Sequence, residues 1–253
     1  MSKVVFLILL LVGSLFAKEV DIAPFKKLKM FSDGRLTLER VYDHKSIYQI
    51  RFSADTKEGK REFGGYITKD KKMLIVGDGI NLGDNKPIIM PLQMDKIKKN
   101  ADIVYGTGKT ELIVITDPEC YYCQAFQQQW PELKKKYTFY AYLYPLSHHK
   151  QAADMSYYIM NQKTQALKAA ALIKIAKDAS ADRMKMQKAQ QSGDEITLAK
   201  KDYEKVSFSP KQTHTFNKKL ENNFILSERL GVRGTPAVYD FKGGFVYWNK
   251  LAK

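Results

Sequence analysis

The order of hydrophobic and polar positions divides the chain into a β-rich front part and an α/β rear part. Between about residue 30 and residue 90, apolar residues alternate with polar ones, as they do in half-buried strands. The alternation is clearest at Leu36, Leu38, Tyr48, Ile50 and Phe52. A polar turn at residues 69–72 joins two apolar runs and predicts a hairpin. We therefore predict a thin front sheet that would gain from pairing its open edge with another copy of itself.

From about residue 110 the pattern becomes that of an α/β domain. Strands are predicted at residues 112–116, 139–144, 237–239 and 245–248. Helical sequence fills the interval between the second and third of these strands, and Ser192-Gly193-Asp194 is predicted to divide it. Strands separated by helices predict parallel pairing, and the final hairpin adds an antiparallel edge.

Local signals predict where helices begin and end. A short helix is predicted over residues 94–99, and Gly106-Thr107-Gly108 marks a boundary after it. Pro131 should kink or end the helix that starts near Cys120. A further helix is predicted over residues 217–231, because Gly231 is a natural C-terminal stop.

The composition limits the classes of partner. The 253 residues exceed the length of a typical single domain and suggest two domains. The 42 Lys+Arg against 27 Asp+Glu give a formal charge of +15, which could favour nucleic acid or anionic lipid. The basic residues are spread along predicted helices and turns rather than gathered in one block, so no nucleic-acid partner is predicted.

Residues 1–17 have the features of a secretory signal peptide. Lys3 supplies the positive start, residues 4–16 the apolar stretch, and Ala17 a small residue at the predicted cut. An uncleaved membrane anchor is the alternative, although the apolar stretch is shorter than the ~20 residues that span a bilayer. Export would place the protein in an oxidising compartment, where disulfides persist.

Cys120 and Cys123 are the only two cysteines, and they follow an apolar strand. At this spacing a helix brings both sulfurs to one face, and the free N–H groups at a helix start favour a thiolate. We predict a redox-active dithiol in which Cys120 attacks a substrate disulfide and Cys123 resolves the mixed disulfide. The alternatives are a zinc site that includes His148-His149 and a structural disulfide. Zinc normally needs four ligands, and a bond across three residues closes almost no loop.

The neighbours of the dithiol predict its acidity. Tyr121 and Tyr122 carry no charge, and the carboxylate of Glu119 directly precedes Cys120. A negative charge opposes a thiolate. We therefore expect the Cys120 thiolate to be less favoured than in a strongly oxidising site.

Together the motifs resemble the DsbC/DsbG branch of the thioredoxin-fold disulfide isomerases. The resemblance rests on residues 115–123, on Leu143-Tyr144-Pro145, and on residues 230–238, which contain Gly234-Thr235-Pro236 ahead of a strand. A weaker likeness covers residues 65–79, similar to strands of the family's dimerisation domain, and residues 103–105, similar to the end of its linker.

The resemblance implies a mixed α+β or α/β architecture. The expected parts are a signal peptide at 1–17, a β-rich dimerisation domain at 18–92, a linker helix at 93–108, and a thioredoxin-like catalytic domain at 109–253 with a helical insertion at 147–230. It also implies that Pro236 is cis and lies against the CxxC motif. Substrate-binding residues are then expected at Thr235, Pro236, Tyr121 and Tyr122.

The function implied is that of a periplasmic thiol–disulfide oxidoreductase, an isomerase or reductase acting on misfolded secreted proteins. A homodimer is expected, with a membrane reductase of the DsbD type keeping Cys120 and Cys123 reduced. No metal or organic cofactor is expected, because the disulfide between Cys120 and Cys123 is itself the reactive group. The alternatives are a dedicated reductase of one partner, such as an apocytochrome c, and a holding chaperone without redox activity. The motif alone leaves the direction of electron flow open.

Overall fold

The computed structural model describes residues 18–56, 59–77, 79–82, 86–88 and 94–252. The chain divides into two compact units, residues 1–91 and 92–253. The predicted signal peptide, residues 1–17, lies outside the described residues. None of the described helices combines the length and the apolar character that a bilayer-spanning helix needs.

The first unit is the β-rich part that the sequence predicts. Its elements are Lys18–Glu19 (β1), Ala23–Lys26 (α1), Lys29–Ser32 (α2), Leu36–Asp43 (β2), Ile47–Thr56 (β3), Gly59–Thr68 (β4), Leu74–Val76 (β5), Ile80–Asn81 (β6) and Lys86–Pro87 (β7). Strands β1 to β5 form one sheet in sequence order with antiparallel neighbours, and β6 pairs with β7 separately. Phe25 of α1 and Phe31 of α2 pack with Val41, Ile50 and Ile67 into one small core. The predicted hairpin is present as the β4–β5 pair.

The second unit contains a mixed sheet surrounded by helices. Its strands are Ile103–Tyr105 (β8), Thr110–Thr116 (β9), Tyr137–Leu143 (β10), Ala237–Asp240 (β11) and Phe245–Val246 (β12). Its α-helices are Met94–Asn100 (α3), Tyr121–Gln127 (α4), Trp130–Leu133 (α5), Ala152–Met160 (α6), Gln165–Ser192 (α7) and Pro210–Arg229 (α8). The strand order is β12-β11-β9-β10-β8. Only the β9–β10 pair is parallel, and the final hairpin forms the antiparallel edge that the sequence predicts.

Alternation along the central strand β9 separates two cores. Leu112 and Val114 point to the larger core, which contains Phe126 of α4. Ile113 and Ile115 point to the other face of the sheet and join a second core. Successive side chains of a strand face opposite sides, so an apolar run on both faces requires cover on both. The sheet therefore lies between two layers, and its central strand is buried from Leu112 to Thr116.

The segment predicted as a linker, residues 93–108, packs within this second unit. Helix α3 places Ile97 in the second core, and β8 pairs with β10. Asp102 is buried between them, where its Oδ2 accepts a hydrogen bond of 2.8 Å from the N–H of Leu143. Through these contacts the segment supplies one strand of the sheet, β8, and one helix that packs against the sheet, α3.

Helix ends follow the local signals in two places and depart from them in a third. Helix α4 ends at Gln127, and Pro131 lies in the first turn of α5, as a residue without an N–H should. Helix α7 stops before Gly193, whose φ is +78°. Helix α8 begins at Pro210 rather than near residue 217, because Ser209 caps it by accepting a hydrogen bond from the N–H of Gln212.

Candidate active site

The two cysteines lie at the start of α4, directly after the loop that leaves β9. Cys120 is the N-cap residue, with extended backbone angles, and Cys123 lies one turn further along. Cys120 is 8% exposed and Cys123 is fully buried, and both are free thiols in this structure. Of the two sulfurs, only that of Cys120 belongs to a residue with contact to solvent.

Surrounding donors lower the pKa of the Cys120 thiol from 9.0 to about 5. The largest contribution is the hydrogen bond from the Cys123 thiol, and burial opposes it. The backbone N–H groups of Cys123 and Tyr122 and the side chain of Thr235 lower the pKa further. A thiolate held by several donors is the form that attacks disulfides.

Glu119 and the two uncharged tyrosines predict a Cys120 thiolate that is less favoured than in a strongly oxidising site, and a pKa of about 5 lies above the ~3.5 of the most acidic redox cysteines. The Glu119 carboxylate is engaged elsewhere: its Oε2 accepts a hydrogen bond of 2.6 Å from the backbone N–H of Gln151. The donors at the helix start therefore outweigh the neighbouring negative charge.

The environment of Cys123 has the opposite effect. Burial raises its pKa well above 9.0, and the hydrogen bond and charge of Cys120 raise it further. Its sulfur accepts a hydrogen bond of 3.4 Å from the backbone N–H of Asp117. Beneath it, the side chain of Gln127 donates to Oγ1 of Thr116 at 2.9 Å, with both residues fully buried. Cys123 thus remains a neutral thiol where Cys120 ionises.

The loop before β11 closes over the first cysteine. The peptide bond between Thr235 and Pro236 is cis, as the resemblance implies. Cys120 Sγ lies 3.5 Å from the carbonyl oxygen of Thr235, a contact in which the thiol is the donor. Pro236 is buried at the start of the adjoining strand. The structure therefore brings the two motifs together although 115 positions separate Cys120 from Thr235.

The two tyrosines between the cysteines face solvent. Tyr121 is 58% exposed and Tyr122 is 61% exposed, and their rings meet edge to face with centroids 5.4 Å apart. Arg183 of α7 reaches this site: its guanidinium lies 4.8 Å from the ring centroid of Tyr121 and donates a hydrogen bond of 2.6 Å to Oε1 of Gln124. Sequence reasoning did not identify Arg183, since nothing in its local sequence distinguishes it from the other basic residues of the helix.

A buried carboxylate anchors the loop ahead of Cys120. Oδ1 of Asp117 accepts hydrogen bonds from the backbone N–H groups of Glu119 at 2.7 Å and Cys120 at 3.2 Å. Oδ2 accepts from the N–H of Leu146 at 2.7 Å and from Nδ1 of His149 at 2.8 Å. Asp117 has no exposed surface, so these four donors are what compensate its burial. The motif placed Asp117 beside the cysteines, but two of its four partners, Leu146 and His149, come from the loop after β10.

His149 is the titratable group that this carboxylate holds near the dithiol. Burial would lower the pKa of His149, but the hydrogen bond and charge of Asp117 outweigh it and raise that pKa above 6.5. The charges of Glu119 and Cys120 act in the same direction. His148 packs its ring against His149 with centroids 4.3 Å apart. Among the described residues, no group of three or more His, Cys, Asp or Glu side chains is arranged to hold a metal ion.

Comparisons with known proteins bear on the second unit. The family model of the thioredoxin-like domain matches residues 97–244. No curated protein sequence is similar enough to the chain to count as a relative.

Distant similarity to several solved structures is also present. Proteus mirabilis ScsC in a transitional conformation is 19% identical over 62% of this chain and 73% of its own, with a TM-score of 0.42. The thiol-disulfide exchange protein alpha-DsbA2 from Wolbachia pipientis is 15% identical over 63% of this chain and 89% of its own, with a TM-score of 0.43. Helicobacter pylori DsbG is 13% identical over 87% of this chain and 98% of its own, with a TM-score of 0.38.

The family match covers the strand before the dithiol, both cysteines, the helices that follow and the cis-proline loop. It confirms the thioredoxin-like fold that the motifs predict. Because it spans more than half of the chain, the protein belongs to the thioredoxin-like domain family.

Proposed function

We propose that the protein is a thiol–disulfide oxidoreductase that works through Cys120 and Cys123. One observation carries the proposal: at one helix start, a thiol with its pKa lowered to about 5 lies beside a buried thiol with its pKa raised. The first is ionised and nucleophilic at neutral pH, and the second is held in reserve as a neutral thiol. Such a pair can form and then resolve a mixed disulfide.

The exchange balances without any further reactant. The Cys120 thiolate attacks one sulfur of a substrate disulfide, and the other substrate sulfur leaves as a thiolate. Cys123 then gives up its proton and attacks Cys120 Sγ, which releases the remaining substrate sulfur. The substrate gains two electrons, and a Cys120–Cys123 disulfide forms. If a different thiolate of the substrate attacks the substrate sulfur of the mixed disulfide instead, Cys120 leaves as a thiolate, the substrate is isomerised and the dithiol is regenerated.

Four residues would form the groove in which the substrate lies. The Thr235 carbonyl lies next to Cys120 Sγ, and Pro236 follows it. Tyr121 and Tyr122, which directly follow Cys120 in the chain, expose aromatic surface. Exposed rings beside a reactive thiol suit apolar segments of unfolded chains. We therefore assign these four residues to substrate binding.

The substrates we propose are misfolded secreted proteins, with the enzyme acting as an isomerase or reductase in the periplasm. A membrane reductase of the DsbD type would return Cys120 and Cys123 to the dithiol form. A dedicated reductase of one partner, such as an apocytochrome c, would use the same site with a narrower range of substrates. Comparing reduction rates across unrelated disulfide proteins separates these two activities.

We also propose that two copies pair through the first unit. Strand β5 ends the sheet there, and its residues Ile75 and Val76, with Met73 before it, expose large apolar side chains. An open edge with exposed apolar residues favours pairing with another strand. A homodimer of this kind would present two dithiols to one unfolded substrate.

Refolding of a scrambled multi-disulfide protein tests the function. Cys120→Ser should abolish the activity, and Cys123→Ala should accumulate a mixed disulfide with substrate that is visible on a non-reducing gel. Undiminished refolding by Cys120→Ser would disprove the assignment. If a Cys120→Ala, Cys123→Ala double variant still suppresses aggregation as well as the parent, a chaperone activity operates independently of the dithiol.

A further inference from the structure

A cavity of about 300 Å³ lies in the second unit next to the dithiol. Helices α6 and α7 and the segment from 198 to 203 form most of its wall. Its lining also includes Glu119, the residue before Cys120, and Gln124 of α4. The helical insertion and the redox motif therefore share one concave surface.

Apolar side chains line much of this surface. Met155 of α6, Ile175 and Ala179 of α7, and Leu198 beyond it all contribute to the wall. Of its exposed surface, more is apolar than polar. An elongated apolar stem could lie along these side chains and gain the free energy of removing its methylene groups from water.

The charged groups of the cavity are mostly paired with one another. Lys174 binds Asp178 at 2.6 Å and Asp202 at 3.2 Å. Lys201 binds Asp182 at 2.5 Å, and both of these side chains are largely buried. Arg183, the third cation, is engaged by Gln124 and the ring of Tyr121. An incoming anion would therefore meet no cation that lacks a partner among the lining residues.

Glu119 is the exception among the acids, because it is the one lining carboxylate with which no lining lysine or arginine pairs in the described part of the chain. Its Oε2 accepts the N–H of Gln151, and its other oxygen has no hydrogen-bond partner in the described part of the chain. The lining residues hold four carboxylates against three cations, whereas the whole chain has a formal charge of +15. The wall beside the dithiol is thus locally acidic on a strongly basic protein.

We propose that this cavity is the subsite for the side chain next to the reactive cysteine of a polypeptide substrate, and that it selects lysine or arginine there. The apolar stem would lie against Ile175 and Met155, and the cationic end would reach the Glu119 carboxylate. Adjacent residues have Cα atoms about 3.8 Å apart. The Cα atoms of two disulfide-linked residues lie about 5.5–6 Å apart. A substrate residue that flanks the sulfur bonded to Cys120 therefore has its Cα within about 14 Å of the Cα of Glu119, which flanks Cys120 itself. The proposal rests on the proposed function and adds a substrate preference to it.

The test uses short peptides whose single cysteine carries thionitrobenzoate as a mixed disulfide. The reduced protein attacks the peptide sulfur, the thionitrobenzoate anion leaves, and the rise of its absorbance gives the second-order rate constant of this single-turnover reaction. Four peptides differ only in the residues flanking cysteine, which are lysine, norleucine, glycine or glutamate. Each protein's rates are divided by its own rate with the small disulfide DTNB, which reports the dithiol without a peptide.

We expect the lysine peptide to react about fivefold faster than the glutamate peptide, the scale of one partly exposed ion pair gained and one repulsion avoided. The norleucine peptide should react faster than the glycine peptide, because norleucine has the apolar stem of lysine without its charge. The net positive charge of the protein would by itself steer the glutamate peptide in faster. A preference for lysine therefore cannot come from the overall charge.

Two variants and their controls locate the preference. Glu119→Gln should make the rates of the lysine and glutamate peptides equal. Glu132→Gln, which changes an exposed glutamate on α5, should preserve the faster rate of the lysine peptide. Ala179→Trp fills the cavity and should lower the lysine and norleucine rates towards the glycine rate. Ala170→Trp, at an exposed position of the same helix that does not line the cavity, should retain the parent pattern.

The outcomes distinguish the two proposals. Equal rates for all peptides, or a faster glutamate peptide, with normal DTNB reduction would overturn the cavity proposal and leave the dithiol function intact. Failure of the folded parent protein to reduce DTNB or any peptide would overturn the proposed function itself. Circular dichroism of each variant establishes that it is folded before rates are compared, and Glu119→Gln tests the preference even if Ala179→Trp does not fold.

Discussion

Cys120 and Cys123 are chemically identical residues whose surroundings give them opposite acidities. Cys120 collects donors from Cys123 and from the backbone at the start of α4, while Cys123 is fully buried. Donors stabilise a negative charge, and burial away from water penalises it. This difference in acidity supports the attacking role that we propose for Cys120 and the resolving role that we propose for Cys123.

Titration of the thiolate absorbance tests this arrangement. In the reduced protein we expect Cys120 to ionise with a pKa of about 5. Cys123→Ala should move that pKa up towards the ordinary range, because it removes the largest stabilising donor, and Cys123→Ser should move it less because its hydroxyl still donates. A pKa near the ordinary thiol value of ~8.5 in the parent protein would contradict the assignment.

The same ionisation predicts how stability varies with pH. The folded-state pKa of Cys120 lies below its unfolded value, so the thiolate contributes stability that is fully present above the unfolded pKa and lost as pH falls through about 5. The free energy of unfolding of the reduced protein, minus that of Cys120→Ser, should therefore rise between about pH 5 and pH 9, by at most ~1.4 kcal/mol per pH unit. Denaturant titrations at several pH values measure it; a difference that does not change with pH would count against a low pKa.

Asp117 and His149 make a second prediction at residue scale. The Asp117 carboxylate accepts four hydrogen bonds, whereas the amide of Asn accepts only through its oxygen and donates through its NH2 group. Asp117→Asn should therefore lower the free energy of unfolding by about 1–3 kcal/mol. It should also lower the pKa of His149, whose rise depends on that carboxylate. In the parent protein the stability from this pair is present below about pH 6.5 and is lost as pH rises through the higher folded pKa.

Chemical denaturation and the proton resonances of the His149 ring give the two readouts. Asp154→Asn, at an exposed position of α6, is the matched control and should change neither. An unshifted His149 resonance titration in Asp117→Asn would show that another group sets its pKa.

At the scale of elements, α7 carries much of what distinguishes this second unit. The helix is 28 residues long and lies in contact with α4, α6 and β8. It provides Arg183 to the redox site and one wall of the acidic cavity. Its sequence predicted that the segment is helical but not which elements it packs against, because an alanine- and lysine-rich pattern has no single apolar face that fixes the orientation of the helix.

The C-terminal stop of α7 gives a test of local backbone control. Gly193 has φ +78°, and a Cβ built there would touch nothing within 4 Å. Any cost of substitution is therefore conformational, and Gly193→Ala should lower the free energy of unfolding by about 1 kcal/mol. Gly193→Asn should cost less, because asparagine tolerates this conformation. Equal stability of the glycine and alanine proteins in urea titrations would mean that the helix end rearranges.

At the scale of the whole molecule, the two units have separate cores. The core of the first unit is small, as expected for a sheet with only two short helices recorded beside it. Small domains bury a lower fraction of their surface and often gain stability from association. This supports the proposal that the first unit pairs with another copy while the second performs the exchange.

Sedimentation of the reduced protein tests the pairing. Ile75→Asp places a charge at an exposed position of β5, the strand at the end of the first sheet, and should shift the protein from dimer towards monomer. Met30→Asp is the matched control, since Met30 is equally exposed, at 48%, on α2 of the same unit. A parent protein that sediments as a monomer at all concentrations would overturn the homodimer.

The local sequence accounted for most elements because each carries a periodic pattern or a stop signal of its own. The alternation of β9, the break at Pro131 and the stop at Gly193 all reflect short-range sterics and burial. The packing of residues 93–108 could not be predicted in this way, because the sequence of a short strand does not reveal which sheet the strand joins.

By itself, the sequence determined that a single CxxC pair lies at a helix start directly after a buried strand. It also determined that Thr235-Pro236 directly precedes a second strand. Those features depend on residue types and spacing alone. Three interactions were decided only by the tertiary structure. Glu119 accepts a hydrogen bond from Gln151, and Asp117 is hydrogen-bonded to His149. The guanidinium of Arg183 contacts the ring of Tyr121. The reason is physical: the acidity of a thiol and the shape of a cavity depend on donors, charges and walls that folding brings together from distant parts of the chain.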